Sequence, residues 1–380
     1  MKNYLALSFK KNLPLYIIIT AIFLIFAVME INNVVFYESV SKMGYGYYRG
    51  SGYAGFMGII ICLFIITMFL PFFAMNYRYS LAKSDAFRQS AYKDKYIRYG
   101  EHLINLSTIL ISFTIAFLII VVGLILKRNG TVLPSDTDYY TYVYRNYNFE
   151  YYIPLYFVAI VLAIGQYFIS YLFISRSNTF INSLIILLLG QAALTCFISV
   201  FARCIHGGMM MIFSSISHAS VVFPITYLYM QFNSLITQGE NTLASILDTG
   251  TSYENAKCFS FICSTATYAG LSILGVIAFS LEKDPSSEWA NKPESDKPYQ
   301  EIIYHVSFGL TGLMIAAGIF NSGIIANLIF YVLFSSLYYT LYGLLHRNFK
   351  LKLKQILILV GVLAAVLFFS ITINLIVPTA

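Results

Sequence analysis

The sequence predicts an all-α polytopic integral membrane protein with about nine transmembrane helices and one re-entrant segment. Three observations lead there: composition, the recurrence of long apolar runs, and the sidedness of Lys and Arg. Apolar side chains make up 58% of the 380 residues and charged ones only 11%, where soluble chains carry roughly a quarter charged, and the mean hydropathy is +0.72. Runs of about 20 apolar residues, enough to cross a hydrocarbon core, recur from end to end. Unpaired backbone groups in hydrocarbon cost several kcal/mol each, so such runs are helices or barrel strands. Strands would alternate apolar and polar residues, and these runs do not.

In chain order, Met1 to Asn12 alternates apolar and basic groups and is expected along the inner membrane surface. Leu13 to Asn32 follows as a retained first helix, because no A-x-A cleavage pattern comes after it. Further candidate spans are Gly55 to Met75, Ile104 to Leu126, Ile153 to Ile174, Phe180 to Phe201, Gly207 to Phe232, Ile262 to Leu281, Tyr304 to Phe320, Ile324 to Leu345 and Ile356 to Val377. That makes ten candidates. If all ten cross from an inner N-terminus, 11 Lys and Arg fall inside and 13 outside, with none of the inward bias expected. If one does not cross, the count becomes 17 against 7. Charge alone leaves open which of 153–174, 180–201 and 207–232 fails to cross. Composition favours the third, which carries Ser214, Ser215, Ser217, His218, Ser220 and Pro224 and suits a re-entrant segment.

The net charge of +7 follows from the same inward bias, so nucleic acid is not an expected partner and the lipid bilayer is. Cys62, Cys196 and Cys263 lie in apolar runs with no C-x-x-C, so neither a disulfide framework nor a metal site is predicted. Sequences for a P-loop, a G-x-S-x-G elbow or H-E-x-x-H are absent. Gln166, Asn182, Gln191, Asn327 and Asn374 within spans are expected to satisfy one another or a neighbouring backbone. Glu30 is the one carboxylate near a span interior, at its outer end, which argues against an ion-coupled transporter. Tyrosine-rich stretches at Met43 to Tyr53, Asp138 to Tyr156 and Ser335 to Tyr342 read as aromatic belts at headgroup level.

One inner loop is far longer than a turn requires. Asn76 to His102 carries six Lys or Arg and three Asp or Glu. Within it, Lys83-Ser84-Asp85-Ala86-Phe87-Arg88-Gln89 reads as a short helix capped by Ser84 or Asp85, with Phe87 as an aromatic peg for a partner.

These residues resemble the bacterial ABC-2 type permeases, the membrane subunits of ATP-driven exporters, in particular their longer peptide-export and immunity branch. Ala82-Lys83-Ser84-Asp85 and Ser90 match that branch's S-K-R-S-x-D-x-x-x-S-L-P segment, although Ala91-Tyr92 stands where Leu-Pro would follow. Ser287-Glu288-Trp289-Ala290-Asn291-Lys292-Pro293 is similar to R-x-S-E-x-A-G-x-P, with Asn291 for Gly. Arg347-Asn348-Phe349-Lys350 matches an Arg-x-Phe-basic stretch before the last span.

The resemblance implies a single permease domain over 1–380, with a cytoplasmic coupling segment at 76–103, a re-entrant segment at 207–232 and a cytoplasmic loop at 282–303. It implies docking of a cytoplasmic ABC ATPase on Lys83, Ser84, Asp85, Phe87, Arg88, Gln89 and Ser90, with secondary contacts at Glu288, Arg347 and Phe349. The chain itself would hold no cofactor; ATP and Mg would sit on the ATPase. A second permease subunit, the same chain or another, would complete the path for an amphipathic peptide, antimicrobial or lipid-like cargo across the bacterial cell membrane. The rivals are an integral-membrane enzyme acting on a lipid or glycan, for which Asp136, Asp138 and Glu150 are the nearest acidic group, and a sensor or immunity subunit that moves nothing.

Overall fold

The computed structural model describes residues 2–33, 38–41, 57–75, 79, 94–130, 140–143, 152–177, 179–206, 225, 228–229, 232, 252–281, 297–316, 324–347, 349 and 353–376. Its helices are α1 (Lys2–Asn33), α2 (Met57–Ala74), α3 (Asp94–Gly130), α4 (Tyr152–Ile174), α5 (Phe180–His206), α6 (Ser252–Leu281), α7 (Lys297–Ala316), α8 (Ile324–His346) and α9 (Leu353–Ile376). Each overlays one expected span. Six contain stretches long and apolar enough to cross a membrane: Asn12–Asn32, Tyr99–Leu126, Tyr152–Ile174, Phe180–Ile198, Ile262–Leu281 and Leu328–His346. Of the expected re-entrant segment Gly207 to Phe232, all but four residues lie outside the described ones; Ile225, Leu228 and Tyr229 are buried.

Two features depart from expectation. β1 (Glu38–Ser41) and β2 (Tyr140–Val143) pair antiparallel, Glu38 opposite Val143 and Ser41 opposite Tyr140, so the fold is helical with one two-stranded ribbon. Loop backbone near a membrane surface still needs partners, and a strand pair is the shortest way to supply them. The basic start, Met1 to Asn12, forms no separate surface element among the described residues. Helix α1 runs unbroken from Lys2 through Pro14, although proline removes one hydrogen bond of the ladder.

The chain forms two compact units, Met1–Leu70 with Tyr92–Ile164 and Pro71–Ala91 with Gly165–Ala380. In the first, α1 and α3 run parallel, joined rung by rung. Asn12 donates to Glu101 (3.4 Å), Tyr16 to Asn105 (3.0 Å), and Thr20 meets Ser112 (2.7 Å). Because the Thr20 hydroxyl proton goes to the Tyr16 carbonyl, Ser112 is the donor in that last pair. Higher up, Phe23 meets Phe113 edge-on at 6.0 Å and Ile31 covers Gly123. Buried Glu30 accepts the Gly58 amide at 2.8 Å, capping the exposed N–H groups of α2 and matching its positive end. A Cβ on Gly58 would meet that carboxylate at 2.5 Å, so any larger residue would displace the Glu30 side chain. At 37 residues, α3 is about 55 Å long, well beyond a ~30 Å hydrocarbon core. Its first turns hold Asp94 to Glu101.

In the second unit the part of α4 from Gly165 onward and α5 form an antiparallel hairpin with a short turn. Thr179 caps α5, its hydroxyl accepting the Asn182 amide at 3.3 Å, as an N-cap does for the third helical residue. Helix α6 packs parallel to α4. Tyr268 donates to Gln166 (2.7 Å), Gly275 lies against the Phe168 backbone, and Phe279 packs on Tyr171 at 5.1 Å, so both helices climb in the same sense. Gln166 and Gln191 both donate to the Ser170 hydroxyl (3.4 Å each), so their partners among the described residues are hydroxyl side chains rather than the amide or backbone groups expected. Helix α7 runs parallel to α5, with Tyr299 at the Leu172 level and Thr311 opposite Cys196. Helix α8 is antiparallel to α7, Tyr304 meeting Tyr342 and Phe308 meeting Tyr338. Helix α9 returns parallel to α7, with Gly312 under Val362.

Gly275 and Gly270 make a matched test of this packing. A Cβ on Gly275 would run into the Phe168 carbonyl, whereas one on Gly270 meets nothing within 4 Å. Gly275→Ala is expected to lower stability by about 1–3 kcal/mol, read as an earlier thermal unfolding transition in detergent. Gly270→Ala should leave the transition unchanged or raise it, because alanine favours helix.

Candidate functional site

The site of interest is the end of the second unit where chain directions bring together the α4–α5 turn, the start of α7 and the α8–α9 turn. Tyr299 on α7 donates to the Leu172 carbonyl at 2.7 Å and Ser175 donates to the same oxygen at 2.8 Å. Together they satisfy one of the free carbonyls that end α4. At the same end Phe72, in the last turn of α2, meets Phe180 at 4.5 Å and Tyr79 at 5.3 Å, and Tyr79 meets Phe180 at 6.1 Å. The polar segment beginning at Asn76 is thus rooted by a three-ring cluster to the first turn of α5.

Beneath this end lies a buried aromatic and hydroxyl core. Tyr304, Phe308, Tyr331, Tyr338 and Tyr342 pack with Ile185, Ile186 and Leu189 of α5. The Tyr338 hydroxyl sits 2.5 Å from Ser307 and 2.8 Å from Thr311. Thr311 spends its proton on the Ser307 carbonyl (2.9 Å), so Tyr338 donates to Thr311 and accepts from Ser307. Cys196 joins the chain at 3.5 Å from Thr311. Three helices are pinned at one point. Among the described residues, four other buried polar atoms here find no hydrogen-bond partner: Ser177 Oγ, Asn182 Nδ2, Ser183 Oγ and Gln300 Nε2. Asn182 therefore departs from the expectation that span amides satisfy one another, and each such atom costs about 1–3 kcal/mol.

The residues singled out by sequence divide sharply. Lys83, Ser84, Asp85, Phe87, Arg88, Gln89, Ser90 and Glu288 lie outside the described residues, and of Asn327 in α8 and Asn374 in α9 only the helical backbone is described. Arg347 and Phe349 are described and lie in the α8–α9 turn. Arg347 is exposed and has φ 51°, the left-handed conformation that ends helices and that glycine usually fills. Its amide reaches the Leu344 carbonyl at 3.4 Å. Phe349 is 54% exposed. One edge of its ring covers Gly343, and its carbonyl accepts from Tyr339. Phe349 is thus folded onto its own helix.

Sequence reasoning missed Phe72, Tyr79, Phe180 and Tyr299. Their signal, aromatic residues at the margins of polar segments, is the one that also marks a headgroup belt. No protein-family model matches the chain, and neither the curated proteins nor the solved structures contain a match.

Tyr338→Phe removes one donor and one acceptor from the pinned hydroxyl chain. The expected loss is about 0.6–1.7 kcal/mol, the range for interhelical hydrogen bonds in membrane proteins, read as an earlier unfolding transition in detergent.

Proposed function

We infer that the chain is the membrane subunit of an ATP-driven exporter of the ABC-2 type. It moves an amphipathic cargo, such as a peptide, an antimicrobial or a lipid-like molecule, across the bacterial cell membrane. In this reading nine helices cross, 207–232 dips in and returns, and the N-terminus is cytoplasmic. The chain performs no hydrolysis. ATP and Mg bind a separate cytoplasmic ATPase, and a second permease subunit, identical or not, faces this one across the cargo path.

The observation that carries the reading is the parallel packing of α4 and α6. Ten crossings would run α6 opposite to α4; nine run them the same way, and only nine yield the inward excess of Lys and Arg, 17 against 7. That topology puts the long polar segment on the cytoplasmic side together with Arg176, the 282–303 loop and the α8–α9 turn. A cytoplasmic segment of this length and charge, rooted through Phe72, Tyr79 and Phe180, suits a handle for a motor. Lys83 to Ser90 would occupy a cleft on the ATPase, with Glu288, Arg347 and Phe349 as flanking contacts. Closure of two ATPases on ATP would press on that handle, and the rings would pass the push to α2 and α5. Unpaired buried groups at Ser177, Asn182, Ser183 and Gln300 favour this end for repacking, since a second arrangement can gain the partners they lack.

Expressed with the ATPase encoded beside it, the chain is expected to co-purify with that ATPase and stimulate its ATP hydrolysis. Asp85→Ala combined with Phe87→Ala should abolish co-purification while membrane insertion is unchanged. Undiminished association in that variant would remove the docking claim.

A further inference from the structure

Two connections meet at the short turn between α4 and α5. One comes from α7. Tyr299, the third residue of that helix, donates to the Leu172 carbonyl at 2.7 Å, and Ser175 donates to the same oxygen at 2.8 Å. The Tyr299 ring also packs against the core built from Ile185, Ile186, Tyr304 and Tyr342, so ring and hydroxyl both hold it. The other connection comes from α2. Phe180, the first residue of α5, meets Phe72 at 4.5 Å and Tyr79 at 6.1 Å.

Leu172 and Phe180 are only eight positions apart, and the chain between them has little slack. Ser175 and Ser177 donate their amides to the Tyr171 and Ile174 carbonyls at 2.8 and 3.0 Å, and Ser183 donates to the Thr179 carbonyl at 3.0 Å. Ile174, Ser177 and Thr179 are buried. Bonded at both ends and buried between, such a turn moves as one piece, because close-packed groups transmit strain rather than absorb it. Each connection also stands at the root of a polar segment. Phe72 and Tyr79 flank the start of the one that begins at Asn76, and Tyr299 comes just after the chain at 282–296 that links α6 to α7.

We propose that the α4–α5 turn is a relay between these two segments, with Phe180 and Tyr299 as its positioning residues. Displacement of the segment that begins at Asn76 moves the turn through the rings, and the turn moves the head of α7 through the Leu172 carbonyl. The part of the relay in transport rests on the motor reading and deepens it; the mechanical link itself needs no ATPase.

The link is tested on the full chain alone, in detergent, by hydrogen exchange. Tyr299→Phe keeps the ring and removes the hydroxyl bond. Amides at 171–177 are expected to exchange about threefold faster or more, from the lower end of interhelical hydrogen-bond energies. Those at 72–80, beyond the other end of the turn, should speed up with them. Phe180→Leu should act in the converse direction and loosen 297–302. Tyr331→Phe, which removes a bond to the Leu359 carbonyl, should alter neither segment. Faster exchange confined to each variant's own end of the turn, or the same response to Tyr331→Phe, would overturn the relay. A second arm adds the ATPase encoded beside the chain. Tyr299→Phe is expected to co-purify with it as wild type does but to stimulate its hydrolysis about twofold less or weaker still, the effect of a lost coupling contact. Undiminished stimulation would overturn the relay in transport. Failure of wild type to bind any ATPase would remove the motor reading instead, and the exchange result alone would then decide the mechanical link.

Discussion

In hydrocarbon, apolar burial does not choose a helix's neighbour, because lipid tails are as apolar as leucine. Polar side chains and close backbone approaches make that choice. This constraint organises the whole chain. Tyr268 on Gln166 and the Gly275 seat under Phe168 tie α6 to α4 in one sense only. The Ser307, Thr311, Tyr338 and Cys196 chain does the same for α5, α7 and α8. In the first unit the rungs from Asn12 to Ser112 hold α1 parallel to α3.

Direction then carries function. Two helices joined by a single crossing must be antiparallel, so parallel α4 and α6, separated by α5 and residues 207–251, imply that the intervening chain ends on the side where α4 began. In the proposed nine-crossing topology the long polar segment, the α4–α5 turn and the α8–α9 turn share a side, the one that the Lys and Arg count favours as the inner face. The proposed motor contact rests on an overlong polar segment with a ring-bound root at Phe72, Tyr79 and Phe180.

Much of this was legible in the residues. Span positions follow directly from apolar runs, since nothing but a helix tolerates them, and α4, α8 and α9 begin or end within three residues of the expected limits. The helices overrun the spans where polar turns extend them, as in the first turns of α3. That Gln166 and Gln191 would find partners was foreseeable because an amide in hydrocarbon must; that the partners are the Ser170 and Tyr268 hydroxyls was not, because the partner depends on which helices meet. Glu30 was recognised as exceptional, but its role as a cap for α2 depends on Gly58, which lies across a 27-residue interval. The strand pair escaped notice because β1, Glu-Ser-Val-Ser, has no apolar alternation strong enough to mark it. Phe72, Tyr79 and Phe180 were hidden among 32 Phe and 32 Tyr residues, a background in which no single aromatic stands out.

The direction of α6 can be read in living cells. In a chain whose five native cysteines are replaced by serine, single cysteines are introduced at Lys257 and Ser286 and exposed to a membrane-impermeant maleimide. The account predicts that the 257 site reacts in intact cells and the 286 site only after permeabilisation. The reverse pattern would run α6 against α4 and contradict the topology on which the functional reading stands.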